Sequence, residues 1–188
     1  MFAPMHHGAM KHAIGPRKEL GVRTLFNLLG PLTNPAGAPN QVLGVFSKEW
    51  MEKLIQVQQK LGANHVMVVH SEDGMDEISI SAPTMIAELA GGEIKQYTIT
   101  PEQFEIKRND IVLLAVEGSN DSLNSMLGVL ENKPGPALDI VLLNAGAAIY
   151  TAGIADSLKA GVTRAREVIA NGSARAKLDQ LVKLSNSF

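Results

Sequence analysis

The sequence predicts an α/β fold: part of a mixed, mostly parallel sheet flanked by helices, with a helical C-terminal section. Three observations predict it. His65-Val66-Met67-Val68-Val69-His70 is a near-continuous apolar run, the pattern of a strand covered on both faces. Strand and helix patterns alternate around that run. From Ser119 onward the apolar residues recur at helical spacing.

Taken in order, residues 41–46 read as a short strand ending at Ser47, which is placed to cap a helix over 48–61 with Glu49 in its first turn. Gly62 closes that helix. Residues 65–70 form the second strand, followed by an acidic turn over 71–77. Pro83 suits the first position of a helix over 84–90, Gly91-Gly92 ends it, and residues 93–100 alternate like a third strand. Helices follow over 119–131, 137–151, 155–170 and 174–184, broken at Pro134-Gly135-Pro136, Gly153 and Asn171-Gly172. Ile154, Leu158, Gly161, Val162, Ala165 and Ile169 fall three or four apart and make a packing stripe, so these helices read as scaffold. Three strands make a thin sheet, and an uncovered edge would leave backbone groups and apolar surface exposed.

With 188 residues, 45% hydrophobic and 19% charged, the chain can bury one ordinary core. The absence of cysteine excludes disulfides, thiolate metal sites and thiol nucleophiles. The longest apolar stretch, residues 140–155, is interrupted by Asn144 and glycines and falls short of the roughly 20 residues of a membrane span. The first residues carry a histidine pair and prolines in place of a secretory signal's apolar core. The expectation is therefore a cytoplasmic protein with no membrane role. A net charge of -2 argues against broad nucleic-acid binding, which needs many phosphate-neutralising Lys and Arg on one surface.

Two clusters can carry chemistry. At the start, His6, His7, Lys11, His12, Arg17, Lys18 and Arg23 stand against one carboxylate, Glu19, a local positive field suited to an anionic ligand. In a helix His7 and Lys11 share a face, and Arg17 follows the Gly15-Pro16 break; an arginine fork grips a carboxylate with two hydrogen bonds. Spacing alone fits a solvated basic helix face equally well. The second cluster is Glu72, Asp73, Asp76 and Glu77, four carboxylates directly after a strand end, where ligands of open α/β sheets bind. Paired hard oxygen donors suit Mg²⁺ together with substrate phosphates and water; a solvated acidic turn is the plain alternative. Between the clusters, Gly30-Pro31-Leu32-Thr33-Asn34-Pro35 is a turn-dense path with two prolines fixing φ and a glycine free to take positive φ.

The segments Phe2-Ala3-Pro4, His6-His7, Arg17-Lys18-Glu19-Leu20-Gly21, Asn27-Leu28-Leu29-Gly30-Pro31-Leu32-Thr33-Asn34-Pro35, Asp73-Gly74-Met75-Asp76-Glu77 and Leu143-Asn144-Ala145-Gly146-Ala147-Ala148 together resemble the anthranilate phosphoribosyltransferase family. The resemblance covers essentially all 188 residues and fits the C-terminal portion of such enzymes. It implies transfer of a phosphoribosyl group from phosphoribosyl pyrophosphate to anthranilate, the second step of tryptophan biosynthesis. Arg17 and His7 would hold the anthranilate carboxylate, Ala3, Gly30 and Pro31 would line its pocket, and Asp76 with Glu77 would bind Mg²⁺. Glu72 and Asp73 receive no role, and no residue is assigned as general acid or base.

The resemblance also implies that residues 1–188 are one α/β domain incomplete at its N-terminus. The small helical domain, the first strands and the glycine-rich phosphate loop of the family would precede Met1. A homodimer is expected of the full-length enzyme and little turnover of this chain by itself. The alternatives are a pyrimidine nucleoside phosphorylase-like enzyme and a non-catalytic relative whose basic patch binds nucleic acid.

Overall fold

The computed structural model describes Gly15, Glu19, Gly21 and residues 26–188. The chain packs as two compact units, Met1–Ala38 and Pro39–Phe188.

In the first unit a one-turn helix α1, Phe26–Leu29, leads into a 3-10 turn, Pro31–Thr33, where proline's fixed φ suits the first position. The Thr33 hydroxyl donates to the Leu29 carbonyl at 3.0 Å. An Asx turn follows, with the Ala36 N–H donating to Asn34 Oδ1 at 3.0 Å and Gly37 at φ +57.

The second unit holds four strands, β1 (Asn40–Gly44), β2 (His65–Ser71), β3 (Thr84–Ala90) and β4 (Glu93–Ile99), in the spatial order β1-β2-β3-β4. β1 runs parallel to β2 in the register Asn40↔His65 to Gly44↔Val69, which requires a crossover. That crossover is helix α2, Met51–Lys60, entered through a 3-10 turn at Lys48–Trp50. Ser47 occupies the cap position in extended conformation, but its side chain makes no capping bond, contrary to expectation. Gly62 ends the helix at φ +79.

The expected helix over 84–90 is a strand. β3 pairs antiparallel with β2 (His65↔Ala90 to Ser71↔Thr84) and with β4 (Thr84↔Ile99 to Ala90↔Glu93). The α/β class and the mixed sheet hold, but the expected predominance of parallel pairing does not: one junction of the three is parallel. Met, Ala, Glu and Leu favour helix only weakly, and two flanking ladders override that preference. Gly91 and Gly92, at φ +58 and +82, form the two-residue type I′ turn that a right-twisted hairpin favours, rather than a helix end. Gly91→Asn is accordingly expected to keep stability within about 0.5 kcal/mol, because asparagine tolerates this conformation. Gly91→Val is expected to cost about 1–2 kcal/mol in urea unfolding, because a branched side chain resists positive φ.

After β4 come 3-10 turns at Pro101–Phe104 and Ile111–Leu114 and four helices: α3 (Ser119–Leu130), α4 (Pro136–Thr151), α5 (Leu158–Ala170) and α6 (Ser173–Ser185). Ser157 caps α5, its Oγ accepting from the Ala160 N–H at 3.1 Å. The pleat places Val42, Met67, Val69, Ile86 and Ile99 on one face, where they form a single core with Leu142, Leu143 and Ala147 of α4 and Val162 and Ala165 of α5. α2 packs on β2 and β3, with its buried Leu54 and Ile55. Both faces of β2 are thus covered, which explains its unbroken apolar run. No helix among the described residues is long and apolar enough to cross a membrane.

Candidate functional site

The acidic loop leaves the C-terminal end of β2, the sheet position where ligands of α/β folds bind. Its shape is set by a compact set of hydrogen bonds. Ser71 N–H donates to the Met75 carbonyl and Gly74 N–H to the Ser71 carbonyl, each at 3.0 Å, with Gly74 at φ +89 making the reversal. Asp73 is the hub. Its Oδ1 accepts from the Met75 N–H at 3.2 Å, and its Oδ2 accepts from the Ser79 hydroxyl at 2.5 Å and from the Ser81 hydroxyl. Burial pushes the Asp73 carboxyl up, but the hydroxyls of Ser79, Ser81 and Ser71 and the Met75 N–H outweigh it and hold the group below the ordinary aspartate value. Asp73 is thus an organiser of the loop, a role that its place in the acidic run does not reveal.

Two further restraints act on the residues after it. A Cβ placed on Gly44, at the end of β1, would lie 1.6 Å from the Asp76 carbonyl oxygen, so the bare backbone of β1 is what lets Asp76 approach. From α4, the Asn144 side chain accepts from the Ile78 N–H at 3.0 Å and donates to the Ile78 carbonyl at 2.9 Å. In the sequence Asn144 is a break in an apolar stretch and part of the Leu143–Ala148 segment of the resemblance, and neither reading gives it a partner. A half-buried amide in an apolar helix needs hydrogen-bond partners, which is the one signal that points to a partner across the fold.

The expected metal-binding pair, Asp76 and Glu77, is therefore presented side by side and exposed on a tethered loop. Among the described residues neither is engaged in an ion pair, and none forms a cluster of three or more metal-ligating side chains. Two free carboxylates fit Mg²⁺ as that ion is usually held, with phosphate and water completing an octahedron, and fit poorly an ion needing an all-protein cage. Glu77 and Met75 also line a mostly apolar groove of about 400 Å³ against α3 and the start of α4. On the loop's other side a cleft of about 860 Å³ reaches from Lys48 and Glu49 to His70, Glu72 and Gln96. His70 is fixed at its rim by a 2.8 Å bond between Nδ1 and the Val45 carbonyl.

Of the expected anthranilate-pocket residues, Ala3, His7 and Arg17 lie outside the described residues. Gly30 and Pro31 are exposed neighbours at the start of the 3-10 turn. Gly30 sits at φ -53 and does not use the positive φ open to glycine, and a Cβ there would meet nothing within 4 Å among the described residues, so turn geometry does not demand glycine.

The model of the glycosyl transferase family, a/b domain, matches residues 1–175. An anthranilate phosphoribosyltransferase from Methylococcus capsulatus is 63% identical over all 188 residues, which correspond to 55% of that protein. The crystal structure of the anthranilate phosphoribosyltransferase of Thermus thermophilus superposes with a TM-score of 0.85 at 44% identity, over 94% of this chain and 52% of that one. The Saccharomyces cerevisiae enzyme in complex with PRPP and Mg superposes with a TM-score of 0.87 at 26% identity, over 97% of this chain and 53% of that one. The chain spans about half the length of the curated relatives it matches.

Proposed function

The chain belongs to the glycosyl transferase family, matched through its a/b domain, and from that premise we propose that it is the C-terminal part of an anthranilate phosphoribosyltransferase. The observation that carries this reading is the end-to-end identity of 63% with a relative of that name. In the reaction the amine nitrogen of anthranilate attacks the anomeric carbon of PRPP, the bond from that carbon to the pyrophosphate oxygen breaks, and pyrophosphate leaves.

Positioning and electrostatics dominate such a transfer, because charge develops on the ribose and on the departing group while the aromatic amine is already a neutral nucleophile. Arg17 and His7 hold the acceptor carboxylate, with Ala3, Gly30 and Pro31 as pocket wall, and no residue serves as general acid or base. Asp76 and Glu77 hold Mg²⁺, which supplies charge neutralisation to the pyrophosphate. The geometry of the loop supports that role, since both carboxylates are exposed and unpaired among the described residues at the end of a central strand. The same reading makes residues 1–188 one incomplete α/β domain of a cytoplasmic, homodimeric enzyme, with nucleic acid taking no part.

The test joins this chain to the upstream half of the Methylococcus relative and follows anthranilate fluorescence with PRPP and Mg²⁺. The 188-residue chain is expected to turn over little or not at all, the joined protein to consume anthranilate. The double variant Asp76→Asn, Glu77→Gln is expected to lose at least about a hundredfold in kcat/KM, since the leaving group's charge goes unneutralised. A folded joined protein that releases no pyrophosphate in the presence of anthranilate would sink the proposal.

A further inference from the structure

We infer that Asn144 is a positioning residue for the Asp76–Glu77 pair, acting through the backbone of Ile78; the inference rests on the reading of that pair as the metal anchor. Asn144 lies in the middle of α4, 66 residues away in sequence from the loop it binds. All of its amide's strong hydrogen-bonding groups are committed. Oδ1 accepts from the Ile78 N–H at 3.0 Å, while Nδ2 donates to the Ile78 carbonyl at 2.9 Å and to the Ile140 carbonyl of its own helix at 3.0 Å. The opposite orientation of the amide would set Nδ2 against an N–H and Oδ1 against two carbonyls, so the network leaves one assignment.

The Ile78 N–H belongs to the peptide plane that joins Glu77 to Ile78. Fixing that plane fixes the direction in which the backbone leaves Glu77, and the Ile78 side chain, 2% exposed, anchors the next residue in the core. One residue earlier, the Asp76 carbonyl rests on Gly44. The pair is thus held between a side chain of α4 and the bare backbone of β1, with Asp73 and its serine hydroxyls restraining the start of the loop. Side chains two bonds removed from a metal govern its affinity by orienting the groups that hold it. An aspartate at 144 would keep the acceptor and lose the donor; an alanine would lose both and leave the Ile78 N–H and carbonyl without partners.

The experiment uses the 188-residue chain, ¹⁵N-labelled, with Mn²⁺ as the probe ion. Wild type is expected to show Mn²⁺ broadening centred on the amides of residues 75–78, abolished by Asp76→Asn with Glu77→Gln. Asn144→Ala is expected to speed amide exchange at Ile78 at least about tenfold and to weaken Mn²⁺ binding about tenfold, with β2 and β3 amides as protected as in wild type. Asn144→Asp, which retains the acceptor, is expected to fall between the two and serves as the test if the alanine variant does not fold. A purely structural amide would change stability without moving the Mn²⁺ affinity of the folded variant, and that result overturns the inference alone. Wild-type Mn²⁺ broadening that is absent, or that survives loss of both carboxylates, overturns the metal reading and the inference with it.

Discussion

Replacing Gly161 by alanine is expected to destabilise the chain by about 3 kcal/mol, the upper range for overpacking, seen as a lower urea midpoint with an unchanged slope. A Cβ at Gly161 would sit 2.2 Å from the Gly146 carbonyl oxygen and 3.3 Å from Tyr150 Cβ. Its counterpart on α4 is as tight, since a Cβ at Gly146 would meet Val162 Cγ2 at 2.5 Å and the Val162 backbone at 2.7 Å. The obstacles at Gly161 are led by backbone atoms, which no rotamer change can clear. The two helices would have to separate, and Val162, Ala165, Leu143 and Ala147 would lose contact in the core they share with the sheet. Gly128→Ala in α3 is the matched control. Its nearest neighbour would be the flexible Lys133 Cδ at 3.4 Å, so the variant is expected to gain up to about 1 kcal/mol from helix propensity. Two variants shifting the midpoint in the same direction would count against this account of the α4–α5 crossing.

That crossing illustrates what the sequence makes legible. The stripe through Ile154, Leu158, Gly161, Val162, Ala165 and Ile169 marks a packing face; the five residues from Leu158 onward are buried in α5, whereas Ile154 lies before the helix and is 69% exposed. Periodicity does not reveal that Gly161 and Gly146 are the points where two backbones touch, because that depends on which helices meet. The same limit explains residues 84–90. Their composition suits a helix and their flanks, Pro83 and Gly91-Gly92, punctuate either structure; only the ladders to β2 and β4 decide. The Gly-Gly pair between two apolar runs is a hairpin signal, and Pro83, a helix-start signal, competes with it. The place of Asp76 and Glu77 in the loop after β2 is legible because the motif is local and the strand pattern positions it. Asn144 and Gly44 act on that loop from distant elements, and local pattern does not reach them. Asp73 was local, but its role depends on Ser79 and Ser81 folding back onto it.

Glu88 is the other residue whose role emerges only from the fold, and its removal is expected to be costly. It lies in the middle of a buried strand, on the sheet face covered by α4. Its Oε1 meets His65 Nε2 at 2.9 Å and its Oε2 accepts from the Tyr97 hydroxyl at 2.7 Å, while the Tyr150 ring of α4 packs edge-on against His65 with centroids 4.8 Å apart. Glu88→Ala leaves a half-buried imidazole and a half-buried phenol without their acceptor, and about 3 kcal/mol of stability is expected to go with it. Glu88→Gln keeps the shape and an acceptor, so a loss of about 1 kcal/mol is expected.

The pH dependence separates the charge from the shape. Burial pushes the Glu88 carboxyl up, but the hydroxyls of Tyr97 and Tyr150 and the hydrogen bond and charge of His65 outweigh it, leaving its folded pKa below the ordinary value of 4.5. Its contribution is therefore in place above 4.5 and is lost as pH falls through the lowered folded value. On the alkaline side, burial and then the nearby Glu88 push the Tyr150 phenol up to about 12 from 10.0, so the stability tied to its protonated form is lost as pH climbs from 10.0 through about 12. Urea midpoints measured between about pH 3 and about pH 7 should fall more steeply in wild type than in Glu88→Gln, which has no proton to take up at this position. Parallel acid limbs in the two proteins would place the acid sensitivity in other carboxylates and would reduce the cluster to a matter of packing.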